Sequence, residues 1–335
     1  MIARIRQKLK EPVRDEQGAV VIILALVMTA LLGVTAVGVD LGAAYVEAAE
    51  AQTAADTAVL AAGRLLPLDA SSEANRQLII SEAEEYLQKN GFAELSAFEI
   101  KVGVSNGAYS SIDVDIRTST ATGFAQVFGV DSIELDRGAS AEVLAVGAAT
   151  GVVPISVEAA ALTQLLEQGV TEHIVLKYGN KTDNVVNGAF GALEIDGETG
   201  GGANQYAEYL AYGYDASLSV GDQLPVKTGN MTGPTYSGIN TRYYGCTHYV
   251  SSGGCTAERF IPGCPRLMTV PVVTYTGKHD IEISGFAMFM LEDIETYENR
   301  GYVVGTFVEG LVTDGLGDTS GQAGDFGAFA LTMTR

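Results

Sequence analysis

The chain has 335 residues, with 20 Lys or Arg against 41 Asp or Glu and a net charge of −21. That length suffices for one large domain or two ordinary ones beside a membrane segment. An acidic balance of this size repels phosphate backbones and anionic lipid headgroups, which argues against nucleic-acid binding.

Residues 1–18 form a short charged tail, with Arg4, Arg6, Lys8, Lys10 and Arg14 among them. Ala19 to Val39 follows as 21 uncharged, mostly apolar residues. At the rise of an α-helix such a run roughly matches the hydrocarbon thickness of a bilayer, so it reads as a transmembrane helix. The basic tail before it, with only Arg64 basic between Asp40 and Pro67, predicts a cytoplasmic N-terminus and an exported remainder. A cleaved secretory signal would have a shorter apolar centre. Here the run passes without a break into helix-forming sequence, which favours a retained, single-pass anchor in the cytoplasmic membrane. Gly18 stands where type IV prepilin-like proteins are cut, but Ile23 occupies the place of their glutamate, which argues against cleavage.

Ala25, Thr29 and Gly33 put small side chains on one face of the span, where another helix can approach. Beyond the bilayer, Val37, Leu41, Ala44, Ala48, Ala51, Ala55, Ala58, Ala62 and Leu65 continue a seam at alternating steps of four and three. Alanine buries little area but permits close approach, so residues 40–67 are expected to pack on their own domain, on a partner or on another copy of the chain. Pro67 ends the helix.

Residues 68–147 read as a small α+β module. A helix spans Ser72 to Asn90, capped by Ser71 or Ser72, with Leu78, Ile79, Ala83, Tyr86 and Leu87 as its apolar stripe and Gly91 as its stop. Alternation at Phe98, Ile100, Val102 and Val104, then at Ile112, Val114 and Ile116, predicts a hairpin around Asn106-Gly107. A short helical piece from Gly123 to Phe128 leads through Gly129 to a strand near Ala139 to Ala145.

Residues 148–335 divide into short apolar runs separated by glycine-rich turns, which predicts a mainly β exported domain. Strands are expected at 152–155, 172–178, 223–226, 267–273, 280–290 and 302–308, with one helix near 158–168. Thr313 to Asp325 reads as a mobile loop, with Phe326 to Met333 as a strand returning after it.

Three segments carry a family resemblance: Gln17-Gly18-Ala19-Val20, Val37-Gly38-Val39-Asp40-Leu41-Gly42, and Ala51-Gln52-Thr53-Ala54-Ala55-Asp56-Thr57-Ala58-Val59-Leu60-Ala61-Ala62. Together they resemble the TadE/TadG-like proteins of the tight-adherence (Tad, Flp-type) pilus machinery. Thr122-Gly123-Phe124 to Gly129 and the following strand are similar to the soluble region of that family. The resemblance implies a membrane-anchored, exported structural component of pilus assembly, not an enzyme. Its implied partners are other Tad membrane proteins or pilin subunits, with lipid around residues 19–39 and self-association through the helix.

No catalytic, cofactor or metal residues are assigned from sequence. His173, His248 and His279 are scattered, and no nucleophile elbow or phosphate-binding glycine loop occurs. Cys246, Cys255 and Cys264 suggest one disulfide with one thiol left over, the pairing being undetermined. Zinc is the weaker alternative, because no CxxC pair exists and His248 is the only nearby histidine. Asp215-Ala216-Ser217-Leu218-Ser219 resembles a metal-ion-dependent adhesion site, which would make the β-rich domain a cation-dependent adhesin. Alternation through Leu218 and Val220 favours an ordinary strand before the Gly221-Asp222 turn instead. Asp314, Asp318 and Asp325 match no Ca²⁺ loop pattern, and Asn180 and Asn230 open weak glycosylation sequons.

Overall fold

The computed structural model describes residues 16–93, 98–170, 174–177, 190–196, 202–227, 231–277, 280–292 and 303–334. The basic residues of the tail, His173, His279, Asn180, Asn230 and both ends of the strand expected at 172–178 lie outside the described residues.

Helix α1 runs unbroken from Glu16 to Gly63, 48 residues in all, or roughly 70 Å. Every large apolar side chain from Val20 to Val39 is exposed. The two hydroxyls in that half, Thr29 and Thr35, donate to the carbonyls of Ala25 and Leu31 one turn back, so both are satisfied within the helix itself. From Ala44 onward one face of the helix disappears into the protein.

Strand β1 (Leu68–Asp69) leads to α2 (Glu73–Lys89). Ser72 caps α2 by accepting from the Asn75 N–H, and Gly91 ends it at φ +96°. Ile79, Ala83 and Leu87 are buried, as their spacing predicts, whereas Leu78 faces out at 49% exposure. Strands β2 (Phe98–Ser105) and β3 (Ala108–Ala121) form the expected hairpin. Asn106 and Gly107 both take positive φ (51° and 80°), the two-residue turn that matches strand twist. The register slips at Gly103/Val104. That bulge moves the buried set from Tyr109 to Ile112, Val114 and Ile116.

Strand β4 (Ser132–Ala149) is far longer than its apolar core suggests. Beyond it lie β5 (Ile155–Glu158), α3 (Ala159–Glu167), β6 (Ile174–Lys177), β7 (Phe190–Ala192), α4 (Ala203–Tyr212), β8 (Leu218–Ser219), β9 (Gln223–Pro225) and α5 (Thr232–Gly245). The remainder is β10 (Leu267–Tyr275), β11 (Asp280–Leu291), β12 (Val303–Val308), β13 (Gly310–Leu311), β14 (Gly315–Gly317) and β15 (Ala328–Met333). The C-terminal region therefore contains two helices, α4 and α5, where turns are expected from sequence. They form because they pack on each other: Gly238 of α5 lies so close to α4 that a Cβ there would meet the Leu210 Cβ at 2.8 Å and the Ala207 carbonyl at 2.9 Å.

Two sheets result. In the first, β1, β3, β4, β15 and β13 lie in that order, with β2 on β3 and β8 and β14 on β4. In the second the order is β6, β12, β11, β10, β5, β7, with β9 on β11. The first sheet receives α1 and α2 on one face, closing a core of Ala51, Ala54, Ala55, Ala58, Val59 and Ala62 over Ile112, Val114, Ile116, Ala139 and Ala141. Its other face, at Val146, Ala328 and Ala330, meets Ile281, Ile283, Phe286 and Met288 of the second sheet. The far face of the second sheet is covered by α3, α4 and α5 through Leu162, Tyr206, Leu210 and Ile239. A bulge opposite Val272/Val273 reverses the phase of β11. Ile283 and Phe286 consequently share one face, while Ala287 and Phe289 share the other.

The fold is mixed α+β, an N-terminal apolar helix followed by small helices and a mainly β C-terminal region. Thr313 to Asp325 is built into it rather than left as a loose loop: β14 pairs with β4. Asp318 accepts from the backbone N–H groups of Ser320 and Ala323. The hydroxyl of Ser320 and that backbone N–H of Ala323 hold the Asp318 carboxyl down at about 2.

Candidate functional site

The apolar half of α1 ends at Val39, and the next side chain, Asp40, is 6% exposed. An isolated carboxylate so placed would be unfavourable. Asp40 is instead saturated with donors. Its Oδ1 accepts the Gly123 N–H at 2.7 Å, and its Oδ2 accepts the N–H groups of Ala125 at 2.7 Å and Phe124 at 3.1 Å. These hydrogen bonds, that from Ala125 foremost, hold the carboxyl below the usual carboxylate range against the opposing effect of burial. The depressed value means that the clasp contributes stability above the ordinary aspartate pKa and loses it as pH falls through the lowered one.

The clasped loop is the short 3-10 turn Ala125–Phe128, closed by Gly129 at φ +82° and by a Thr122-to-Asp131 backbone hydrogen bond of 3.0 Å. Its side chains point away from the body. Val127 is 82% and Phe128 83% exposed, with Phe124 and Val130 about half exposed. Alongside on α1, Leu41, Tyr45 and Val46 are exposed too. An apolar patch thus surrounds the point where the bare half of α1 leaves the body, a concentration that marks a contact surface.

Above the clasp the alanine seam has a definite mate. Ala44, Ala48, Ala51, Ala55, Ala58 and Ala62 are all buried, and from Ala51 onward the surface that buries them is the chain's own first sheet together with α2. Of the three partners open to this seam from sequence, the chain's own domain covers Ala44 to Ala62, while Leu41 of the same seam stays exposed. Polar residues lock the register. Gln52 donates to Asp56 (2.8 Å) on its own helix and to the Gly138 carbonyl (3.1 Å) on β4, while Thr118 of β3 donates to Glu47 at 2.8 Å. Asp40, Gln52 and Asp56, the polar marks of the family-like segments, therefore orient the body on the rod.

The remaining sequence candidates fall elsewhere. Asp215 follows α4, not a buried parallel strand, and Ser219 lies in β8, its N–H bonded to Asp222 at 2.7 Å. Among the described residues Asp215 joins no group of metal-ligating side chains. Asp325 accepts from the Gly327 N–H within its own turn. The cysteines, from which one disulfide is expected, are all free. Sγ of Cys264 and Sγ of Cys246 lie 3.5 Å apart, well beyond the ~2.05 Å of a disulfide bond, and His248 approaches the same point.

One helix, from Val20 to Gly63, is long and apolar enough to cross a membrane by length and composition, and it stands bare below an α+β body that grips only its upper half. Residues 18–65 match the family model described as putative Flp pilus-assembly TadE/G-like. The matched segment takes in the rod, Asp40 and the alanine seam, while the loop that clasps Asp40 lies beyond it. No curated protein and no solved structure matches the chain.

Proposed function

We propose that this chain is a structural component of a Tad (Flp-type) pilus assembly system, held in the cytoplasmic membrane by residues 19–39 with its N-terminus inside and its body outside. The match over residues 18–65 carries this reading. It acts by association, not catalysis. Because the chain's own domain covers the alanine seam from Ala44 to Ala62, lateral contact with other Tad membrane proteins or with another copy is assigned to Ala25, Thr29 and Gly33 inside the bilayer. Contact with pilins is assigned to the exported body. In cells whose own copy is deleted, the chain lacking Ala19–Val39 should leave the membrane fraction and fail to restore pili. Normal piliation by that deletion would refute the role.

The exposed patch at the clasp fits the lipid interface. Its occupant is membrane because the patch is continuous with the end of the apolar rod, where aromatic side chains such as Phe128 and Tyr45 settle at headgroup level. The body then rests on the bilayer at a fixed tilt rather than swinging on a free stalk. The chain contains no tryptophan, so Phe128→Trp supplies a single reporter. In vesicles its emission should shift to the blue and be quenched several-fold by brominated lipid, whereas Val250→Trp, at a side chain 73% exposed on the body, should not be quenched. Equal quenching at the two positions, or none at Phe128→Trp, would overturn the seating.

A further inference from the structure

We infer that Cys246, His248, Cys255 and Cys264 form a structural zinc site that fastens the loop between α5 and β10. The loop has almost no regular structure of its own, yet it folds back so that the four ligand atoms lie within 4.8 Å of one another. A tetrahedral zinc with thiolate bonds of ~2.3 Å separates its sulfurs by roughly 3.8 Å. The 3.5 Å between the sulfurs of Cys264 and Cys246, and the 4.0 Å from that of Cys246 to Nδ1 of His248, fit such edges. Three soft thiolates with one imidazole make a donor set that selects zinc over hard cations, and four protein ligands leave no open position for catalysis.

The surroundings fit the ion as well. Cys255 and Cys264 are 1% and 2% exposed and pack with Met290, Phe260 and Val308 into a small apolar cluster separate from the main cores. Two arginines brace the ligand-bearing backbone. Arg266 donates to the carbonyls of Gly253 (3.0 Å) and Cys255 (3.4 Å) while lying over the Tyr243 ring at 3.9 Å, and Arg242 donates to that of Pro265 at 3.0 Å. Three thiolates and a neutral imidazole around Zn²⁺ carry one net negative charge, and these guanidinium groups stand where they offset it. The contribution of such a site is to convert a short, poorly cored loop into a fixed one.

The test uses the full chain, purified in detergent without chelator from zinc-supplied cells. We expect about one zinc per chain by elemental analysis, three thiols that react with a thiol reagent only after chelation, and, on cobalt exchange, thiolate charge-transfer and tetrahedral ligand-field bands. Cys264→Ser and His248→Ala should each reduce retained zinc at least tenfold after dialysis. His248 is only half-buried, so its variant carries the test if Cys264→Ser does not fold. An intact mass two hydrogens short with one reactive thiol would establish a disulfide and overturn the proposal. So would a chain that takes up neither zinc nor cobalt, or zinc retention unchanged in both variants.

Discussion

Phe289→Ala is expected to lower the melting temperature of the detergent-solubilised chain by roughly 10 °C, since truncating a buried phenylalanine costs about 3–5 kcal/mol. Phe289 is fully buried near the C-terminal end of β11, on the face covered by α3, α4 and α5. Its ring meets Phe307 edge to face at 5.0 Å between centroids. Neighbouring Gly305 of β12 allows this approach, since a Cβ there would fall 2.6 Å from Cε1 of Phe289 and closer still to the Met290 carbonyl oxygen. With backbone on one side and helices on the other, the site cannot collapse around the void. Tyr212→Ala, at a side chain 74% exposed, serves as control and should shift melting by less than about 2 °C. A shift that small for Phe289→Ala as well would contradict the packing described.

Ala58→Leu should destabilise by about 3 kcal/mol for the opposite reason. Ala58 is wholly buried in the seam, and α1 lies on the first sheet as closely as it does because methyl groups line the contact. Added carbons would lift the helix from Ile112, Val114 and Ile116 and strain the Gln52 contact to Gly138. Ala49→Leu, on the exposed face of the same helix, should leave melting nearly unchanged. Limited proteolysis gives an independent readout, because a lifted seam exposes the segment around Pro67 to cleavage. Equal stability of the two variants would mean that the seam is not a close-packed contact.

These two sites mark the division between what local sequence reveals and what it hides. The anchor, α1, α2 with its Ser72 cap and the Asn106-Gly107 hairpin are legible because their signals lie within a few residues of one another and their physics is local. The seam was visible too, but not its mate, because alanine at helical spacing suits a sheet as well as a second helix. Helix α5 is hidden because Gly233, Pro234 and Gly238 argue for turns, whereas Gly238 is a packing residue whose partner Leu210 sits on α4. The phase reversals in β3 and β11 depend on bulges that alternation alone does not locate. The four-ligand cluster was hidden by its spacing: Cys246, Cys255 and Cys264 contain no CxxC pair, and His248 joins them only because the loop folds back on itself. Asp40 was visible as a family mark, but its three donors, more than eighty residues downstream, were not.

Strand β15 has a temporal implication. It pairs with β4 from Phe329 to Met333, and its Leu331 fills the space beside Gly63 at the top of the rod. β4 is complete at Ala149, while the strand that seals its edge emerges roughly 180 residues later. Throughout that interval the Ala141–Ala145 stretch of β4 offers an unpaired edge, the kind of surface on which nascent chains join one another by mistake. That edge stays open until Met333 has been made.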